Sequence, residues 1–150
     1  MPVQLAYPSF ISAREPVHVE TIEVRVAFRD CDPMGVLWHG NYLAYCELAR
    51  NQLGERIGFG IARLRDLGLF APVVRSQVLH QAPARPDELL RVEAALYASA
   101  QPRLYHRYRL SVGGRAIALG ETEQVLTDQA FGLLLSVPSA LTSVFSSRSA

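Results

Sequence analysis

A single long helical pattern, set among strand patterns, constrains the fold of this 150-residue chain more than any other feature. It runs from about residue 41 to residue 57, and its apolar residues recur every three or four positions, which is typical of one helical face. Gly40 or Asn41 suits the start of this helix, and Gly58 suits its end. Leu43, Tyr45 and Leu48 widen the stripe, so we expect the helix to be buried on more than one side. The stripe itself consists of Tyr42, Cys46, Ala49, Leu53 and Ile57.

Strand patterns account for most of the remaining chain. Alternation from Thr21 to Phe28 predicts a half-buried strand, with Ile22, Val24 and Val26 facing the same side as Phe28. Further strand patterns cover residues 72–81, 89–99, 104–112 and 115–127, and a short helical piece ends at Gly68. Gly113 and Gly114 form a two-residue hairpin signal.

Strands joined by such tight turns are antiparallel neighbours. The predicted order is therefore β-α-β-β-β-β, which indicates an α+β fold in which an antiparallel sheet wraps the helix so that both bury their apolar faces.

The length and composition indicate one globular domain. Apolar residues make up 49% and charged residues 19% of the chain, which suits a compact protein. The first part of the chain, residues 1–17, carries three prolines and little periodicity, so we expect an irregular N-terminal arm. We assign residues 18–140 to the single domain and residues 141–150 to a C-terminal tail that ends in "SSRSA".

Several partner classes are disfavoured by the sequence. The formal net charge of +1 provides no overall field for nucleic acid, and no apolar run approaches the roughly 20 residues of a membrane helix. The N-terminus lacks the pattern of a signal peptide, which predicts a cytoplasmic protein. Two cysteines are too few for a disulfide framework, and no Cys/His cluster has the spacing of a zinc site. We therefore expect neither a metal nor a redox cofactor.

The stretch "RDCDPMGVLWHGNYLAYCELAR" concentrates polar and aromatic residues where the chain enters the helix. The free N–H groups at a helix start stabilise a carbonyl oxygen that gains negative charge. Asp30 and Asp32 lie just upstream, and a carboxylate there can attack a carbonyl or activate a water. Gly35 and Gly40 allow a close backbone approach to a ligand. The alternative is a plain turn with capping carboxylates, in which His39 is half-buried and the adjacent Trp belongs to the core.

This segment resembles the signature of the hotdog-fold thioesterases, specifically the 4-hydroxybenzoyl-CoA thioesterase family and its relatives in bacterial Tol-Pal gene clusters. The residues that carry the resemblance are "DCDPMGVLWHGNY" at positions 30–42, followed by "ELAR" in the helix. Downstream, "PARPDELLRV" resembles a second family segment. The similarity covers roughly residues 20–138.

The resemblance implies a hotdog fold, in which a curved antiparallel sheet wraps one long helix. It also implies a homodimer with sheets joined edge to edge and two sites at the subunit interface, or a homotetramer. Asp32 matches the family's catalytic carboxylate, which acts as nucleophile or general base. The backbone N–H of His39 matches the amide that polarises the thioester carbonyl, and its side chain matches a histidine of the Tol-Pal relatives. The residues that we expect to bind substrate are Gly35, Trp38, Gly40, Asn41 and Arg85.

The sequence offers further candidates for catalysis and for CoA binding. Glu47 is the reserve catalytic carboxylate, although a pair with Arg50 at i,i+3 would be purely structural. Cys31 is a poor nucleophile, because an Asp flanks it on each side and no base is evident. Three arginines, at positions 85, 103 and 107, are candidates for CoA phosphates. His80 and His106 lie on strand patterns, and we assign them to the core or the surface.

The predicted function is an acyl-CoA thioesterase that hydrolyses an aryl- or short- to medium-chain acyl-CoA to the free acid and CoA. One alternative is a thioesterase that acts on an acyl-carrier protein. Another is a non-catalytic acyl-CoA binding module on the same fold, although the retained Asp32 and the glycine-bearing bend favour an enzyme.

Overall fold

The computed structural model describes residues 8–148 and forms one five-stranded sheet with three helices. Two short 3-10 turns, Phe28–Asp30 and His39–Asn41, lie between the first strand and the first helix. The strands and helices in chain order are β1 His18–Arg25, α1 Tyr42–Arg56, α2 Ile61–Asp66, β2 Val73–His80, β3 Leu89–Tyr97, β4 Arg103–Val112, β5 Arg115–Val125 and α3 Ser139–Ser146.

The sheet is antiparallel throughout, with the strand order β1-β3-β4-β5-β2. Val92 of β3 pairs with Ile22 of β1 on one side and with Leu110 of β4 on the other. Gly113 and Gly114 form the β4–β5 hairpin at φ 53° and 80°, a backbone region in which glycine avoids the steric cost of a side chain. The predicted α+β architecture is confirmed, and within residues 8–148 no further strand pairs with β1 or β2, which form the two edges of the sheet.

Helix α1 lies against the inner face of this sheet, where it contacts β1 and β3. Its buried face contains Tyr42, Tyr45, Cys46, Ala49 and Leu53, so the predicted stripe is confirmed for four of its five residues. The fifth, Ile57, follows the last residue of α1 and is only partly buried. The expectation of burial on further sides was wrong for Leu48, which is 49% exposed. The opposite face of α1 remains open because the sheet covers the helix from one side.

The outer face of the sheet carries a layer of buried charges beneath the N-terminal arm. Glu121 is fully buried and accepts hydrogen bonds from the Ser9 hydroxyl, the Phe10 N–H and Arg107. Glu123 lies two residues further along β5. Burial opposes its charged form, but hydrogen bonds from Arg103, Tyr105 and Arg75 outweigh this and lower the pKa of Glu123. The guanidinium groups at positions 103 and 107 are thus paired with sheet carboxylates, which disfavours them as phosphate contacts.

Both ends of the domain differ from the sequence pattern in detail. Strand β1 begins at His18 rather than Thr21, and Phe28 is 84% exposed because the chain leaves the strand before it. Residues 139–146 form α3, which the sequence analysis does not predict, and Leu141 and Val144 of this helix are buried in the core. Within residues 8–148, no helix is both long enough and apolar enough to cross a bilayer.

Candidate active site

The predicted catalytic bend folds into a short hairpin that precedes α1. Cys31 and Leu37 pair across it, and the Asp32 N–H donates to the Val36 carbonyl at 2.9 Å. The turn closes when the Gly35 N–H donates to the Asp32 carbonyl, also at 2.9 Å. Gly35 has φ +77°, and a Cβ built there would meet nothing within 4 Å, so this glycine supplies a backbone conformation rather than space.

Asp32 stands at the rim of this hairpin with one carboxylate oxygen committed to the turn. Its Oδ1 accepts the N–H of Met34 at 2.9 Å, which orients the side chain. The residue is half-buried, so the carboxylate is held in place and still reaches solvent. Burial raises the pKa of Tyr42, the first residue of α1, and the charge of Asp32 is a smaller contribution in the same direction.

Asp30 has a different environment and fixes the loop. Its carbonyl accepts hydrogen bonds from the Trp38 N–H at 3.0 Å and from the Asn41 side-chain amide at 2.9 Å. Its carboxylate accepts the hydroxyl of Tyr45 at 2.7 Å, and that hydroxyl accepts the Ala27 N–H at 3.0 Å. Of the two carboxylates, Asp30 therefore ties the end of β1 to α1. Tyr45 was missed as a positioning residue, although a buried tyrosine hydroxyl usually has a hydrogen-bond partner.

The β2–β3 loop supports the hairpin from the other side. The Leu37 N–H donates to the carbonyl of Ala84 at 2.7 Å, and Ala84 is fully buried. Arg85 follows directly and is exposed, with its own backbone N–H bound to Glu88 at 2.9 Å. The structure thus places Arg85 on the loop that contacts the hairpin.

The 3-10 turn His39–Asn41 leads into α1. The Asn41 side chain makes no capping hydrogen bond, and its amide nitrogen donates to the Asp30 carbonyl at 2.9 Å. Asn41 therefore occupies the N-cap position of α1, as expected, while its side chain fixes the loop. In the described part of the chain, the backbone N–H of His39 has no acceptor. An N–H group at the start of a helix is therefore available beside the hairpin that carries Asp32.

Aromatic and imidazole rings gather around this helix start. The rings of Trp38 and His39 lie 5.0 Å apart at 52°, and the rings of Tyr42 and His80 lie 4.6 Å apart edge to face. Burial, together with the nearby His39, lowers the pKa of His80. The assignment of His80 to the core or general surface missed this location, because only the sheet register brings the end of β2 to the start of α1.

The indole of Trp38 lies directly over Gly40. A Cβ built on Gly40 would be 2.2 Å from the ring atom Cζ3 of Trp38, which is far below any real contact. The close approach that requires glycine at position 40 is therefore made by the Trp38 indole of the chain itself. Trp38 is 46% exposed, so part of its surface is available to a ligand.

The remaining candidates lie in ordinary environments. Glu47 is exposed and pairs with Arg50 at 3.6 Å, the structural alternative weighed for it. Burial, followed by the charges of Asp30 and Asp32, raises the pKa of Cys31, which disfavours its thiolate. No group of three or more His, Cys, Asp or Glu residues within positions 8–148 is arranged to hold a metal ion.

Comparison with known proteins identifies similar sequences and folds. A family model described as the thioesterase-like superfamily matches residues 26–145. The acyl-CoA thioester hydrolase YbgC of Escherichia coli is 29% identical over 100 residues, which cover 67% of this chain and 74% of that protein. YneP of Bacillus subtilis is 31% identical over 72 residues, or 48% of this chain, and the match spans about half (52%) of that relative.

A solved structure shows the same architecture. The crystal structure of a hypothetical protein from Thermus thermophilus superimposes with a TM-score of 0.77 at 29% identity, and the match covers 85% of this chain and 97% of that one. The hotdog fold expected from the sequence is thereby confirmed.

The contact between Gly40 and Trp38 gives a testable prediction. Gly40→Ala should displace the indole, because the new methyl group would occupy the position of the ring. Since Trp38 is the one tryptophan of the chain, its fluorescence should shift to the red and become more accessible to iodide. We expect a loss of about 1–3 kcal/mol in the free energy of unfolding, as for other overpacked sites. In a Trp38→Ala background, the same substitution should cost almost nothing. Unchanged emission in Gly40→Ala would contradict the geometry.

Proposed function

Because this chain belongs to the thioesterase-like superfamily, we propose that it hydrolyses the thioester of an aryl- or short- to medium-chain acyl-CoA and releases the free acid and CoA. The observation that carries this proposal is the arrangement at the start of α1. An oriented, half-exposed carboxylate, Asp32, lies on a hairpin that leads directly to the free N–H of His39. The name of the Escherichia coli relative, an acyl-CoA thioester hydrolase, supports the choice of substrate class.

In the general-base form of the reaction, Asp32 takes a proton from water while the resulting hydroxide attacks the thioester carbon. The carbonyl oxygen becomes an oxyanion and accepts the N–H of His39 at the positive end of the helix. The C–S bond then breaks, CoA leaves as a thiolate, and the proton held by Asp32 passes to the thiolate.

In the nucleophilic form, an Asp32 oxygen attacks the carbon directly. The C–S bond breaks, CoA departs as a thiolate, and an acyl–aspartyl anhydride remains on the enzyme. Water then hydrolyses this anhydride. The two forms differ in the origin of the oxygen atom. Single turnover in H₂¹⁸O labels only the product acid in the first form, whereas the second form can place the label in Asp32.

The surrounding residues suit substrate binding. The exposed part of Trp38 offers a flat apolar surface next to the reacting carbon. Arg85 lies on the loop that contacts the hairpin, and we assign it to the CoA phosphates because its guanidinium provides donors in a fork that matches phosphate oxygens. The Asp32 and His39 steps require neither a metal nor a redox cofactor, so hydrolysis should persist after treatment with a chelator.

We also propose that two copies pair through the open edge at β2. Val73 and Val74 on this edge strand are 45% and 55% exposed, and an unpaired apolar edge is an uncommon feature of an isolated chain. Antiparallel pairing about a two-fold axis would bring the start of β2 in one copy to the end of β2 in the other, where His80 lies beside the helix start. Each site would then be completed by the partner.

Asp32→Asn should lower turnover by about 10²- to 10⁴-fold while the fold and ligand binding remain intact. Asn can still accept the Met34 N–H, so the hairpin keeps its shape, but it neither attacks a thioester nor takes a proton from water. The measurement is thiol release from a panel of acyl-CoAs, together with the affinity for a non-hydrolysable thioether analogue. Asp30→Asn is the matched control, and it should act mainly on stability through Tyr45. If Asp32→Asn retained more than about a tenth of the rate, the assignment would move to Glu47.

His39→Ala should retain substantial activity. Ala preserves the backbone N–H that we assign to the oxyanion, so we expect a loss of about tenfold in kcat/KM, or roughly 1.4 kcal/mol. His39→Pro removes that N–H and should cost far more, with circular dichroism as the check on folding. A loss in the Ala variant as deep as that of Asp32→Asn would show that the imidazole itself acts as an acid or base.

The assembly can be tested by light scattering during dilution. We expect a dimer or larger species, and the double substitution Val73→Lys and Val74→Lys should dissociate it and reduce activity, since pairing would then bury two charged side chains against the end of the partner's β2. Leu135→Lys is the control, because Leu135 is 99% exposed and lies outside β2. A fully active monomer at nanomolar concentration would refute the pairing.

A further inference from the structure

A cavity of about 370 Å³, separate from the hairpin that carries Asp32, lies beside the C-terminal half of α1. Helix α1, helix α2 and the inner faces of β3, β4 and β5 form its walls, and none of the residues that we assign to the reaction lines it except the reserve carboxylate Glu47. Its volume falls in the range of sites that hold small ligands. Its walls are mainly apolar, with side chains such as Phe59, Leu64 and Leu104.

Two buried polar atoms of this cavity lack a partner. In the described part of the chain, the Nδ1 atom of His106 and the Oε1 atom of Gln124 make no hydrogen bond, and both residues line the cavity. They are only 5% and 8% exposed. The amide nitrogen of Gln124 donates to the Ala71 carbonyl at 2.7 Å, which holds the side chain with its oxygen unused. Buried polar atoms are rarely left without a partner, so these two indicate a missing ligand.

The sheet register places these two side chains as diagonal neighbours. Gln124 of β5 pairs with Leu104 of β4, and Thr122 pairs with His106, so His106 and Gln124 are offset by two residues on the same inner face. Side chains of this length reach across such a diagonal. A single small group can therefore contact both.

The charges around the cavity restrict what can bind. Burial, and then the charge of Arg50, lowers the pKa of His106 to about 3, so its imidazole is neutral at ordinary pH. Arg50 itself has a side chain that is 15% exposed and is paired with Glu47. A ligand cation would meet Arg50, and a carboxylate has no hydrogen to donate to the Gln124 oxygen.

We propose that this cavity binds an uncharged, mainly apolar group that carries a hydroxyl. The hydroxyl donates to Oε1 of Gln124 and accepts from the N–H of His106 in its Nδ1-protonated form. A hydroxyl has one donor and two acceptor positions, so it satisfies both unpartnered atoms at once. An unsubstituted hydrocarbon would fill the apolar part and leave both atoms unsatisfied.

The hydroxyl-bearing group can belong to the acyl part of a thioester or to a separate small molecule. Both carry the hydroxyl that His106 and Gln124 would bind. Competition between phenol and an acyl-CoA therefore distinguishes the two sources. Binding to the cavity needs no turnover. The proposed binding site can therefore be tested independently of the proposed hydrolase activity.

The test uses phenol, benzene and benzoate as probes on the full-length protein. Titrations followed by amide chemical shifts should show phenol binding at least tenfold more tightly than either of the others, with the largest shifts at residues 104–106 and 122–124. Gln124→Leu and His106→Phe should each reduce the preference for phenol over benzene by about tenfold. Gln52→Leu, a substitution at an exposed position of α1, should leave the preference for phenol unchanged.

Three outcomes would overturn the proposal: equal binding of phenol and benzene, shifts that map outside the cavity, or no binding of any probe, which would leave water as the partner of both atoms. His106→Phe removes an unpaired polar atom and should fold at least as well as the wild type. Gln124→Leu also removes the hydrogen bond to the Ala71 carbonyl, so circular dichroism is used to check its folding. If phenol competes with the acyl-CoA, the hydroxyl belongs to the substrate. If it binds without competition, the cavity serves a separate ligand.

Discussion

The mutual burial of α1 and the inner face of the sheet is the interaction on which the rest of the structure depends. A lone helix with one apolar stripe and a sheet with one apolar face are each unstable in water, and each removes the other's apolar surface from solvent. The contact is close at Gly120, where an added Cβ would lie 3.7 Å from the Cys46 sulfur. The position of α1 then determines where its first N–H groups point, and so where an oxyanion can be stabilised.

The hairpin before α1 shows how two similar carboxylates come to differ. Asp30 is bound by Tyr45 and, through its carbonyl, by the loop, so it is part of the framework. One carboxylate oxygen of Asp32 accepts a hydrogen bond within the turn, and the residue remains half-exposed. The framework holds the second carboxylate rigidly beside the helix start without neutralising it, and this separation of roles underlies the proposed chemistry.

Much of this organisation is readable from local patterns. The stripe of α1, the inward-facing residues of β3 and β4, and the Gly113–Gly114 hairpin follow from periods of 3.6 and 2.0 and from turn chemistry. The exposed Leu48 and the buried α3 do not, because apolar content alone does not say which side of a helix the sheet will cover or whether a short tail segment finds a place in the core.

By itself, the sequence determined the α+β class, the hotdog resemblance and the concentration of chemistry at residues 30–41, since all of these are carried by neighbours along the chain. Only the tertiary structure brought His80 to Tyr42, assigned Asp30 to the loop framework, and placed His106 and Gln124 as neighbours in the wall of one cavity. These contacts join residues that are far apart in the chain, and they depend on sheet register and on which polar atoms remain unpaired after packing. Neither property is encoded in a local pattern.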